Sequence, residues 1–386
     1  MKTKKIKKIV KIFLTLIKYY YYKLYCSFFK IRNDDVWIIS ERGIDARDNS
    51  YHLFKYIRKN HPDIIIKYVI DKKSPDYKKV CKYGETIQYG SKEHYILFIT
   101  ANVLISTHDM GYSPDMSLFT RLNNRGLLKI NGKKIYIQHG INKDVIHVPK
   151  CDLTITGGYP EYLETIKSYP DIIDRIKYTG LARFDNLPIY RNEYSHKILF
   201  MPTFRKWLVY LNDNDFKKSI YYTSIQNLLN NDRLLDILRE NNYELIFYPH
   251  IEMQERVQLF SSKSDLIKIA SFNNYDVQQL LIDSDLLITD FSSVFFDFAY
   301  MNKPVIFFQF DQDEYRSKHY QEGYFSYEND GFGEVVLKPE DLIVAIEKEL
   351  KSNCIVPLKY KKRKEKYFKH CDNSNCKRIY DEIKKI

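Results

Sequence analysis

The sequence predicts an α/β protein of two doubly wound domains in series, preceded by a basic amphipathic helix. Three observations carry this. From Asp35 onward, short β-branched runs alternate with helix-like stretches. The runs are apolar on both parities, as strands of a parallel sheet are when helices cover both faces. With 386 residues, 44% of them hydrophobic, the chain can fill two cores of ordinary size. Such a composition excludes a disordered, collagenous or repeat protein.

The N-terminal segment comes first. Residues 1–30, "MKTKKIKKIVKIFLTLIKYYYYKLYCSFFK", hold nine Lys and no acid. Taking these from the formal net charge of +12 leaves +3 for the rest. A second basic run, "KYKKRKEKYFK" at 359–369, accounts for more of that remainder, so the body is near neutral. Ile6, Ile9, Val10, Phe13, Leu16, Ile17, Tyr20 and Leu24 recur at helical spacing. Lys11, Lys18 and Lys23 interrupt the apolar stretch and no small-residue cleavage site follows, which argues against a secretory signal. A spanning helix needs roughly 20 mostly apolar residues, which this segment lacks. A helix lying on an anionic cytoplasmic leaflet fits better; its rival is a helix packed on the protein's own body.

Strands follow at "VWIIS" (36–40), "IIIKYVI" (64–70), "VLIS" (103–106), "KIYIQ" (134–138), "LTIT" (153–156), "KILFM" (197–201), "ELIFY" (244–248), "LLIT" (286–289) and "VIFF" (305–308). Near 186–196, "NLPIYRNEYSH" carries Pro188 and loses periodicity, so it reads as a linker. The expected organisation is a membrane-surface segment 1–30, a first domain 31–190 and a second domain 191–386. The abundance of Tyr (34) and Phe (23) is no binding signal, and the excess of Tyr, Asn, Lys and Ile looks like nucleotide bias. The six cysteines (26, 81, 151, 354, 371 and 376) lack C-x-x-C spacing and read as reduced thiols of a cytoplasmic protein. Cys371 and Cys376 with His370 fit no usual zinc pattern.

Ligands of open α/β sheets bind beyond the carboxyl ends of the strands. Here "KIYIQ" is followed by His139-Gly140, "KILFM" by Pro202-Thr203-Phe204-Arg205, "ELIFY" by Pro249-His250, and "LLIT" by Asp290-Phe291-Ser292-Ser293. Together these ends describe a cleft with cationic, hydroxyl and titratable groups. Ser292 and Ser293 open a helix, whose first turn has unpaired N–H groups and a positive dipole end, a setting for phosphate. A cap would need one such residue, and the sequence supplies the cluster Thr289, Asp290, Ser292 and Ser293. Asp297, one turn on, can orient the loop. "FQFDQDEY" places Asp311, Asp313 and Tyr315 past another strand end.

These segments also carry a family resemblance. "TDFSSVFFDFAYMNKPVIFFQFDQDEY", "YPH", "MPTFR", "IQHG", "TGLARFD" (179–185) and "ERGIDARDNSYHLFKYI" (41–57) resemble the CDP-glycerol glycerophosphotransferase family of teichoic acid synthesis. The likeness runs from about residue 36 to 380. It implies a GT-B fold, two Rossmann-like domains facing a cleft, and transfer of glycerol phosphate from CDP-glycerol to a hydroxyl with release of CMP. Related members use CDP-ribitol or build capsules, and the family sits peripherally on the cytoplasmic face of the membrane. By this resemblance His139 and His250 are the catalytic histidines and Ser292 and Ser293 bind the diphosphate. Arg205 and Arg378 reach phosphates, with Thr289, Asp290 and Asp297 in the donor site. The sequence departs from the family at Asn373, where a Gly is usual, and at Ala182, where a Pro commonly precedes Arg183. At 386 residues, the large extra N-terminal domain of some polymerases is not expected.

The expected partners are a CDP-polyol donor, a lipid-linked glycan or teichoic acid acceptor and an anionic membrane surface, with no nucleic acid. Phosphoryl transfer of this kind depends mostly on positioning and electrostatics. No Asp-x-Asp metal motif stands in a suitable loop, "DQD" at 311–313 being the weak candidate, so no cofactor or metal is expected to be required. Two rivals share features: a GT-B glycosyltransferase using a nucleotide sugar, and a nucleic-acid binder using the basic runs. The second would need stacking aromatics in a basic groove.

Overall fold

The structure is a computed structural model. It describes residues 2–189, 194–319 and 321–386, with side chains of the first helix described from Val10 onward. The chain divides into two compact units. Unit 1 comprises Met1–Gly140, His147–Asn186 and Asp372–Ile386; unit 2 comprises Ile141–Ile146 and Leu187–Cys371.

The unit 1 sheet contains β1 (Asn33–Ser40), β2 (Ile65–Ile70), β3 (Thr86–Gln88), β4 (Ala101–Ser106), β5 (Lys133–Tyr136), β6 (Leu153–Thr156) and β7 (Ile176–Tyr178). Their order is β3-β2-β1-β4-β5-β6-β7, every pair parallel. Unit 2 contains β8 (Lys197–Met201), β9 (Glu244–Phe247), β10 (Ile267–Ile269), β11 (Leu286–Thr289), β12 (Val305–Phe308) and β13 (Gly333–Val336), ordered β10-β9-β8-β11-β12-β13, again all parallel. The strand order of each sheet therefore reverses once, at β1/β4 and at β8/β11. Those switch points are where doubly wound sheets hold ligands.

Alternation along each strand feeds both faces of the first sheet. Trp37 and Ile39 join a core with Ile379, Tyr380 and Ile383 of the C-terminal helix Asn375–Lys384. Ile38 and Leu104 join the opposite core with Tyr19 of the N-terminal helix Lys2–Phe28. The C-terminal helix thus belongs to unit 1, a correction to the 191–386 domain. Its first turn is held by Asp185, whose carboxylate accepts from the N–H groups of Asn375 (2.8 Å) and Cys376 (2.7 Å). Ile141–Ile146, expected in the first domain, belongs to unit 2. There Arg316 pairs with Asp144 at 2.8 Å and the Tyr324 hydroxyl donates to the Asn142 carbonyl. The expected break at 190/191 and the middle of the 186–196 linker lie outside the described residues.

The N-terminal helix has two apolar faces. Ile12, Thr15, Leu16, Tyr19, Tyr22 and Cys26, recurring at helical spacing, pack on unit 1. The Tyr19 hydroxyl donates to the Lys129 carbonyl at 3.0 Å. Val10, Phe13, Leu14, Ile17, Tyr20, Leu24 and Phe28 lie on the other side, exposed. The stripe read from the sequence is therefore divided: Leu16 packs inward, whereas Val10, Phe13, Ile17, Tyr20 and Leu24 face outward. Ile6 and Ile9 have side chains outside the described residues. No helix among the described residues is long and apolar enough to cross a membrane.

Candidate active site

The unit 1 switch point gathers titratable groups. After β1 the chain runs through Glu41 and Asp48 into the helix Asn49–Asn60, which Asp48 caps by accepting from Asn49 N–H. After β4 comes His108, and after β5 comes His139. Gln138, directly before His139, has φ of 54°, the left-handed region that a Gln rarely occupies. Its carbonyl is held by the Asn49 side chain at 2.9 Å.

This turn presents His139 to solvent while Nδ1–H donates to Asp48 Oδ2 at 2.8 Å. Arg183 completes the arrangement. Its guanidinium donates to Asp48 Oδ1 at 2.8 Å and to the His139 carbonyl at 2.5 Å. Burial disfavours the Asp48 carboxylate, but Arg183 and His139 outweigh it and hold the carboxyl well below its ordinary range. An ionised Asp48 on Nδ1 leaves the His139 proton there and the Nε2 lone pair facing outward, which is the tautomer of a base. His108 stacks on His139 with ring centroids 5.2 Å apart. Burial, reinforced by His139, lowers its pKa to about 3, so the ring beneath the base is neutral. Glu41 accepts from the Arg47 and Asp48 N–H groups. Its burial, with Asp45 and Asp48 adding, pushes it up to about 8.

The unit 2 switch point is built differently. Arg205 is completely buried. Its Nε and Nη2 grip Asp311 at 2.7 Å each, Nη2 also reaches Asp290 at 2.8 Å, and Nη1 donates to the Thr203 carbonyl at 2.7 Å. Four aromatic rings, of Tyr221, Phe291, Phe310 and Tyr315, surround the guanidinium. Arg205 is therefore not a phosphate ligand: its donors are committed to two carboxylates that hold it charged without solvent. Asp290 belongs to the same brace, accepting from Thr203 N–H at 2.8 Å and tying β8 to β11. The Thr289 hydroxyl donates to the Met201 carbonyl at 2.7 Å, the second tie between those strands. Thr289 and Asp290 are wholly buried and Asp297 nearly so, so these three shape the loop and present no group at its surface. Asp311 of the "DQD" run is likewise spent on Arg205.

Ser292 and Ser293 emerge from this brace half-buried. The helix that follows, Phe295–Tyr300, has no side-chain cap, and Ser292 Oγ makes only a long 3.4 Å contact with Val294 N–H. The serines are thus not spent as caps. His250, at the end of the neighbouring β9, stacks on Phe204 at 4.7 Å. Its Nδ1 accepts from Glu252 N–H at 3.2 Å, which puts the imidazole proton on Nε2 and makes that edge a donor. The two histidines hold opposite tautomers, His139 with its acceptor and His250 with its donor on Nε2.

Arg378 belongs to unit 1. Its guanidinium donates to Asp372 (2.9 Å), the Thr179 carbonyl (2.9 Å) and Asn375 (2.6 Å), contacts that lie partly in solvent. Asn373, the departure from Gly, has φ of 53°. Asn tolerates that conformation better than most residues, so the turn survives the substitution. Asp48, Arg183 and His108 are not among the site residues expected from the sequence, although Arg183 stands there beside the Ala182 departure. The first two lie inside motifs quoted for the family likeness, and nothing in spacing alone pairs them. Among the described residues no group of three His, Cys, Asp or Glu is placed to hold a metal.

Known proteins sharpen this picture. A family described as CDP-glycerol:poly(glycerophosphate) glycerophosphotransferase matches residues 20–142 and 151–385. GgaB, a minor teichoic acid biosynthesis protein of Bacillus subtilis (strain 168), is 33% identical over 370 residues, which is 90% of this chain and 39% of GgaB. A teichoic acid poly(glycerol phosphate) polymerase of Staphylococcus epidermidis is 26% identical over 375 residues, 87% of this chain and 48% of its own length. This chain thus spans less than half of either relative. Among solved structures, the wall teichoic acid polymerase TagF aligns with a TM-score of 0.68 at 17% identity, covering 100% of this chain and 98% of that one. A putative UDP-N-acetylglucosamine 2-epimerase from Listeria monocytogenes aligns at 0.56 with 11% identity, covering 91% and 96%. These likenesses bear on the fold, two Rossmann-like sheets of the GT-B type. With the family pattern over most of its length and a 33% identical relative over nine-tenths of it, the chain belongs to the CDP-glycerol:poly(glycerophosphate) glycerophosphotransferase family.

Proposed function

We propose that the chain transfers glycerol phosphate from CDP-glycerol to a hydroxyl of a teichoic acid or lipid-linked glycan acceptor, releasing CMP. The family and the names of its relatives support the reaction class. The observation that carries the residue roles is the opposite tautomers of His139 and His250. The acceptor oxygen attacks the phosphorus bearing glycerol, and the bond to the CMP oxygen breaks with its electron pair leaving on CMP. His139 Nε2 takes the hydroxyl proton, with Asp48 stabilising the imidazolium that forms. His250 Nε2–H, the hydroxyls of Ser292 and Ser293 and the uncapped N–H groups beside them donate to the diphosphate and stabilise the leaving charge. Arg205, Asp290 and Thr289 hold that loop in shape.

We further propose that the exposed face of the N-terminal helix rests on the anionic cytoplasmic surface of the membrane. Large apolar side chains bordered by lysines, on a helix already anchored by its other face, support this.

The reaction is tested by incubating the protein with an acceptor glycan and CDP-glycerol or CDP-ribitol in parallel, then following CMP release and product mass. A phosphorus-bearing product with one CDP-polyol supports the reading. A phosphorus-free glycoside formed from a nucleotide sugar, with both CDP-polyols inert, overturns it.

A further inference from the structure

A cavity of about 520 Å³ runs along the flank of the N-terminal helix inside unit 1, and none of Asp48, His108 and His139 lines it. Val10, Leu14 and Lys18 form one wall, and Tyr89, Tyr95 and Pro114 line the other side. The three helix residues are four apart, so they make a single row about 12 Å long. At Gly90 a side-chain carbon would meet nothing within 4 Å, so the cavity is open there. Its walls are largely apolar, and its charged lining groups are cations. Lys11 stands 3.5 Å from Asp115 with most of its side chain in solvent. Lys18 has no ion pair among the described residues.

An apolar slot with ammonium groups along its edge suits an amphiphile with an anionic head. Val10 and Leu14 belong both to this slot and to the outward apolar face, so a molecule in the slot would be continuous with whatever covers that face. A second copy of the chain is a poor occupant, because it would bring the same lysine-rich, acid-free helix against this one.

We propose that the cavity is a binding site for one acyl chain of an anionic glycerophospholipid, its phosphate held by Lys18 and Lys11. This rests on the reading of the helix as membrane-facing and is independent of the transfer reaction. The site would fix unit 1 to an individual lipid, in addition to the diffuse attraction of lysines for a charged surface.

The probe is dihexanoyl phosphatidylglycerol below its micelle concentration, titrated calorimetrically into the full chain, with dihexanoyl phosphatidylcholine as the neutral control. The wild-type protein should bind one phosphatidylglycerol saturably. Lys18→Glu should weaken binding roughly tenfold or more, as expected when a charge-assisted contact is removed, and phosphatidylcholine, whose choline cation offsets its phosphate beside the two lysines, should bind more weakly than phosphatidylglycerol. Leu14 is 52% exposed, so Leu14→Trp fills the slot without disturbing a core. It should abolish short-chain binding yet keep or strengthen sedimentation with phosphatidylglycerol vesicles, since an interfacial Trp favours the bilayer surface. Absence of saturable binding to the wild type, or full binding by Leu14→Trp, overturns the site. Failure of the wild type to sediment with vesicles overturns the membrane reading, whatever the short-chain result, and neither outcome depends on catalysis.

Discussion

Arg205→Met separates a structural cation from a phosphate ligand. The substitution keeps an unbranched apolar stem among the four rings and removes every donor. Asp290 and Asp311 then remain buried, facing each other without a counter-charge. Breaking a buried pair by removing one partner costs about 3–5 kcal/mol, and two stranded carboxylates put this site at the upper end. For a unit of this size, each kcal/mol moves the midpoint by roughly 2–4 °C, so the transition of unit 2 should fall by roughly 6–20 °C. The loss should shrink in acid, where protonation removes the stranded charges. Adding Asp290→Asn and Asp311→Asn to Arg205→Met should recover part of it. Urea unfolding and CDP-glycerol titration of the same samples decide the matter. An unchanged unfolding midpoint with weakened CDP-glycerol binding would mean that Arg205 contacts phosphate and that its saturation by carboxylates has been misread.

Four further outcomes follow from the geometry. Asp48→Asn, which favours the wrong tautomer at His139, should lower turnover by on the order of 10²–10⁴ while leaving CDP-glycerol affinity intact; equal activity would reduce Asp48 to a helix cap. Ser292→Ala with Ser293→Ala should weaken CDP-glycerol binding, each lost charge-assisted bond being worth about 1.5–3 kcal/mol, and unaltered affinity would remove the serines from the donor site. Folding raises the Glu41 pKa to about 8, so the folded state gains a proton that the unfolded state has lost. That stabilisation is complete below pH 4.5 and disappears as pH rises through 8, and Glu41→Gln should flatten the decline of unit 1 stability across that window; a parallel decline in the variant would refute it. Phe13→Glu with Ile17→Glu and Leu24→Glu alters only the exposed face of the N-terminal helix and should release the protein from anionic vesicles. Deleting residues 1–30 is a poorer test, because Tyr19 is part of the core.

The strands legible in the sequence were those that helices cover on both faces. The four that escaped, β3, β7, β10 and β13, are the outer strands of the two sheets. They have three or four residues each, and none is buried throughout, as in "TIQ" and "GEVV". An edge strand needs no apolar run, so no run was there to find. The polar cluster at 289–293 was legible as a cluster but not in its division of labour. Thr289 and Asp290 turn inward to tie β11 to β8, and only the serines reach the surface. Which way a side chain points at this strand end depends on Arg205, 85 residues before Asp290, and on Met201, 88 before Thr289, and no local pattern carries that. The same holds for Asp48 and His139, which are 91 residues apart and meet only once the switch point forms. Arg205 and Arg378 look alike in sequence to cations awaiting phosphate; their carboxylate partners become evident only in three dimensions. Of the two readings weighed for the N-terminal helix, packing on the protein's own body is seen for one face, and the membrane reading rests as a proposal on the other.

The central claim is that His139, held by Asp48, removes the acceptor proton in a transfer that releases CMP. It is tested most directly by CMP release from CDP-glycerol in the presence of acceptor, measured for the wild type and His139→Ala alongside donor affinity. Loss of turnover by roughly 10²–10⁴-fold at unchanged affinity is the outcome this account requires. Wild-type CMP release by His139→Ala would contradict it.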